Sequence, residues 1–105
     1  MSSMTTPLYR RINWQEQLRD YCRKTRLPEP VFELVSDRRG GRTAWSSSVK
    51  IGQNAKFCAR FFYDGDYLDN AKEDAAEVAL MQLSSQYHQP TAYPGQLFPY
   101  QPKLP

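Results

Sequence analysis

The ten residues AKEDAAEVAL (71–80) place alanine at 71, 75, 76 and 79. Ala71, Ala75, Val78 and Ala79 recur at helical spacing and the pattern continues to Leu83, with Ala76 and Leu80 widening the apolar face. A face made of methyl groups lets a helix lie close against a sheet, so this run predicts a helix covering one side of a β-layer. Asp69 or Asn70 is positioned to cap it. Asp69, Glu73 and Asp74 add negative charge near its positive end, a stabilising placement worth about 0.3–1 kcal/mol each.

A second helix is written near the start. Asn13 followed by Glu16 fits a capping box. Trp14, Leu18, Tyr21, Cys22 and Thr25 then form one stripe, and Pro28 stops the helix. The opposite side carries Gln15, Arg19, Arg23, Lys24 and Arg26, a hydrated positive surface.

Between the helices, VFELVS (31–36) alternates as a strand does. DRRGGRT (37–43) breaks it, and Trp45, Ser47, Val49 and Ile51 alternate with polar residues to give a second strand. GQNA (52–55) reads as a turn, KFCARFFY (56–63) as a third strand and DGD (64–66) as its end. The expected architecture is α+β, in the order α-β-β-β-α: a three-stranded antiparallel sheet with both helices on one face.

With 105 residues the chain has room for one small domain and no more. Residues 1–12 show no periodicity and are expected to be a flexible arm. Residues 86–105 hold five of the eight prolines among Gln and Tyr, and are expected to be a disordered tail. The folded unit is thus placed at 13–85. No apolar run spans a bilayer and no secretory leader is apparent, which points to the cytoplasm or nucleus. Two cysteines and one histidine do not make a zinc site, and no nucleophile–base pair or phosphate loop is present. No metal, cofactor, small-molecule substrate or enzymatic activity is expected. Positive charge is concentrated early: residues 1–42 hold nine Lys or Arg against five Asp or Glu.

This order and three short stretches resemble the double-stranded RNA-binding domain family over residues 13–85. LRDYCRK (18–24) is similar to that family's first helix, LPEPVF (27–32) to its entry into the first strand, and AKEDAAEVAL to its AKxxAAxxAL signature. The resemblance implies a non-catalytic module that reads duplex shape across two minor grooves and the intervening phosphates, without sequence preference. Matched residue by residue, the first-helix contacts are Gln17, Arg19 and Asp20, the last able to accept a hydrogen bond from a ribose 2′-hydroxyl. The loop contacts are Arg38, Arg39, Gly40, Gly41, Arg42 and Thr43, and the helix-start contact is Lys72.

The chain departs from the family at Asp20, where Glu is usual, in a longer hairpin between strands two and three, and in two binding words. Gly40-Gly41-Arg42-Thr43 stands in place of Gly-Pro-x-His, and LDNAK (68–72) in place of KKxAK, so one lysine of three survives. Weak duplex binding is the consequence. The alternative is a degenerate double-stranded RNA-binding domain serving as a protein-interaction or dimerisation module. Its surface would be the Tyr- and Pro-rich tail or the third strand. Cys58, Arg60 and Phe62 point outward there if Phe57, Ala59, Phe61 and Tyr63 face the helices, and Phe57, Phe61 and Tyr63 are exposed in the reverse facing. Either patch offers a site to a partner or a second copy unless the extended tail covers it.

Overall fold

A computed structural model describes residues 13–100. The flexible arm expected at 1–12, and residues 101–105 of the tail, lie outside the described residues. In chain order the elements are α1 (Trp14–Lys24), β1 (Val31–Arg39), β2 (Arg42–Ile51), β3 (Ala55–Cys58), β4 (Phe61–Asp64), a 3-10 turn (Gly65–Tyr67), α2 (Leu68–Ser84) and β5 (Gln96–Pro99). The α-β-β-β-α order is present, with both helices on one face of an antiparallel sheet.

The alanine face of α2 does what its small side chains permit. Ala71, Ala75, Ala76 and Ala79 are fully buried. Ala75, Ala76 and Ala79 pack with Leu18 and Cys22 of α1, Val49 and Ile51 of β2, and Ala59. Burying a side chain such as Leu18 or Val49 contributes roughly 1.5–3 kcal/mol. Burial also pushes the Cys22 thiol pKa upward. The start of α2 differs from expectation: the helix begins at Leu68, and Tyr67 at the cap position makes no side-chain capping bond. The residue that caps is Asp64, whose carboxylate accepts the Asp66 N–H (3.0 Å) at the preceding turn.

Both strands around the Arg-Gly stretch run further than the sequence suggests. β1 extends to Arg39 and β2 begins at Arg42, pairing without interruption from Val31↔Lys50 to Arg39↔Arg42. Gly40 (φ +56°) and Gly41 (φ +83°) form the whole connection. Positive φ at both central residues is the requirement of a two-residue hairpin turn, and two glycines meet it at no steric cost. Arg38 and Thr43 are therefore strand residues.

The third strand is also different. It is split at Ala59–Arg60 into β3 and β4, each pairing with β2. The tail, expected to lack order, instead crosses α2 and adds β5 to the outer edge of β4. Asp64 N–H donates to the Gly95 carbonyl (2.9 Å) and Tyr100 N–H to the Arg60 carbonyl (2.8 Å). Phe62 does face away from the helices, but it is only 7% exposed because Phe98 stacks on it (5.1 Å) and Tyr100 meets it edge-on (4.8 Å). Arg60 turns inward to α2. The edge that was to invite a partner through Cys58, Arg60 and Phe62 is thus occupied by the chain's own C-terminal segment. Tyr100 is pushed to a higher pKa, first by burial and then by the neighbouring Cys58.

Candidate nucleic-acid interface

The two helix starts are tied together by one carboxylate. Glu73 of α2 accepts the backbone N–H of Trp14 (2.8 Å) and of Gln15 (3.1 Å), and the Gln15 side-chain amide as well (2.9 Å). The Gln15 amide also donates to Asp69 (3.1 Å), while Asn13 Oδ1 takes the Glu16 N–H (3.0 Å). Amides left without intrahelical partners are satisfied, and a negative charge stands at the positive end of α1. Glu73 therefore acts on a helix other than its own, which local spacing does not reveal.

On the exposed side of α1 lie Gln17 and Arg19. Arg19 borders an open cavity of about 560 Å³ between the starts of α1 and α2 and residues 91–94. Asp20 is less available, since it pairs with Arg23 (3.1 Å) and Lys24 (2.9 Å), both exposed. Hydrogen bonds from Lys24 and then Arg23 lower its pKa.

Strand alternation divides the hairpin arginines between the two faces of the sheet. Arg38 and its partner Thr43 share the face of Phe32 and Val49, which is the helix side. Arg39 and Arg42 share the far face. There the Arg39 guanidinium lies over the Phe98 ring (4.1 Å) and pairs with Asp37 (3.0 Å), and Arg42 pairs with Asp64 (3.1 Å). Arg38 and Lys72 make no ion pair among the described residues. Lys72 is partly exposed in the first turns of α2.

The remaining acids of α2 belong to the interior. Asp74 and Glu77 are fully buried. Arg60 bridges them, Nε donating to Asp74 Oδ1 and Nη2 to Glu77 Oε1, each at 2.7 Å. Asp74 also accepts the Tyr63 hydroxyl (2.7 Å). Glu77 accepts from the tail: His88 Nε2 (2.7 Å), the Thr91 N–H and hydroxyl (3.0 Å each), and the Tyr93 hydroxyl (2.9 Å). A carboxylate oxygen only accepts, so Nε2 of His88 carries the proton in this contact. Burial raises the Asp74 pKa despite its donors, whereas for Glu77 the donors outweigh burial and hold it below the ordinary value. Burial and the neighbouring carboxylates raise both tyrosine hydroxyls.

An α-β-β-β-α order with two helices packed on one face of an antiparallel sheet defines the double-stranded RNA-binding domain fold. No protein-family model and no curated protein matches the chain. Among solved structures, it is similar to Arabidopsis HYL1, whose structure was described for its implications in miRNA processing. That match has a TM-score of 0.57 and 27% identity, covering 68% of this chain and 96% of that one. The second double-stranded RNA-binding domain of DRB4 matches with a TM-score of 0.55 and 18% identity, covering 70% of this chain and 97% of that one. The corresponding domain of human tRNA-dihydrouridine(20) synthase gives 0.56 and 24%, covering 83% and 81%. These last two carry the fold alone.

Among the described residues no helix is long and apolar enough to cross a membrane, and no three His, Cys, Asp or Glu side chains are placed to hold a metal.

Proposed function

We propose that the chain is a non-catalytic double-stranded RNA-binding module that reads duplex shape weakly and without sequence preference. The observation that supports this best is the helix-side placement of Arg38 and Thr43, on the same side of the sheet as exposed Gln17 and Arg19 of α1 and Lys72 of α2. A duplex laid along that side meets a minor-groove contact at α1, a second at the hairpin end, and a phosphate contact at the start of α2. Gly40 and Gly41 form the tip of the hairpin end, Arg39 and Arg42 flank it from the far face, and Asp20 joins the first contact when it exchanges an ion pair for a ribose hydroxyl.

Weakness follows from charge. A charge-assisted hydrogen bond contributes about 1.5–3 kcal/mol, and the LDNAK stretch supplies one lysine to the phosphates. Titration of the full chain with an RNA duplex of about 20 base pairs at low salt tests the reading. Binding with a dissociation constant in the range of about 10–100 µM is expected, falling steeply as salt rises. No change in duplex mobility or anisotropy at about 100 µM protein rejects it.

A further inference from the structure

The two hairpin arginines that point away from the helices are both tied to the C-terminal segment. Arg39 lies 4.1 Å from the centroid of Phe98 in β5. Phe98 is fixed in turn by its stack on Phe62. Arg42 pairs with Asp64, whose backbone N–H is bonded to Gly95. The charged groups that meet these two arginines are Asp37 and Asp64, each on the sheet itself. Both arginines flank a two-residue turn, so each stands at the very end of the hairpin, where a long side chain released from the far face reaches the space beyond the sheet.

We propose that β5 is a built-in autoinhibitory element: strand alternation sets Arg39 on the far face, and the Phe98 ring keeps its guanidinium packed back along that face instead of reaching past the hairpin end toward a duplex. The proposal rests on the duplex-binding reading above. An exposed cation–π contact is the quantity exchanged, so its removal is expected to tighten duplex binding about two- to fivefold.

The experiment compares the full chain with Phe98→Leu, Arg39→Ala and the double variant, each titrated with the same duplex of about 20 base pairs. Leucine keeps an apolar contact with Phe62 but offers no ring face. Phe98→Leu binds tighter than the parent, and in the Arg39→Ala background the same change has no effect. Equal or weaker binding by a cooperatively folded Phe98→Leu chain, with the parent binding normally, overturns the proposal and leaves the duplex reading intact. If neither parent nor variant binds duplex, the reading falls and takes the proposal with it. A measurement without RNA stands beside the titration: the Arg39 Nε–H proton is shifted upfield by the ring in the parent and returns to its ordinary position in Phe98→Leu. A parent spectrum without that shift overturns the proposal whatever the variants do.

Discussion

Glu77 Oε1 lies 2.7 Å from Arg60 Nη2 and also accepts the Tyr93 hydroxyl at 2.9 Å, so this carboxylate oxygen joins the C-terminal segment to the domain. Glu77 is completely buried, and its other oxygen collects His88 and Thr91 from residues beyond α2. His88 also stacks flat on Trp14, 5.0 Å away. One carboxylate thus links the broken third strand, the second helix and the tail.

Replacing Glu77 by alanine leaves Arg60 paired with Asp74 alone and strips three tail residues of their common buried acceptor. Breaking a buried ion pair from one side costs about 3–5 kcal/mol. Glu77→Ala is expected to lower unfolding free energy by that order in urea titration, and a loss under about 1 kcal/mol means that the tail does not rest on this residue.

The two buried acids respond to pH with opposite signs. Glu77 has a folded-state pKa below its ordinary 4.5, so the stability it contributes is present above 4.5 and is lost as pH falls through the folded value. Asp74 has a folded-state pKa above its ordinary 3.8, so ionising it costs stability as pH rises from 3.8 through the folded value. Glu77→Gln is therefore expected to flatten the acid limb of the stability curve below pH 4.5, and Asp74→Asn to flatten the region just above 3.8. Unfolding midpoints measured across that window check both, and parallel curves for parent and variants contradict them.

Helices and strand order were legible because periodicity reports burial. The alanines of α2 and the stripe of Leu18 and Cys22 mark a core, and they form it. The tail was illegible for the converse reason: it is held by polar side chains. His88, Thr91 and Tyr93 reach a buried Glu77, a partner invisible to any tally of apolar area. The tight hairpin does have a sequence signal, since Gly-Gly between two alternating segments specifies a two-residue turn. Alternation then divides Arg38 from Arg39 and Arg42, a consequence that the longer loop reading concealed. Glu73 carried no local sign of its role, because the helix it caps begins 59 positions earlier.

Gly95 tests the seating of the tail by shape. Its φ is +89°, and a Cβ built there clashes with the Tyr67 ring. Gly95→Ala brings both backbone strain and a clash, and is expected to cost roughly 1–3 kcal/mol. Because Gly95 starts the run that covers β4, the variant should also speed amide exchange at Asp64 and Tyr100, whose N–H groups are bonded across that junction. Unchanged exchange at those two amides would show that the segment accommodates the methyl elsewhere.

The division of the hairpin by face gives a graded prediction for duplex binding. Arg38→Ala removes a cation on the helix side that has no ion-pair partner among the described residues. Arg42→Ala removes one already paired with Asp64 on the far face. Lys72→Glu reverses the lysine of the α2 start. An exposed phosphate contact is screened by solvent, so Lys72→Glu and Arg38→Ala are each expected to weaken binding about three- to tenfold and to reduce the salt slope by about one. Arg42→Ala should change affinity less than about twofold, since the charge it loses was largely spent within the sheet. Anisotropy titrations at several salt concentrations separate these outcomes. Equal losses for Arg38→Ala and Arg42→Ala would mean that the hairpin meets RNA with both faces, and that the far-face ion pair opens on binding.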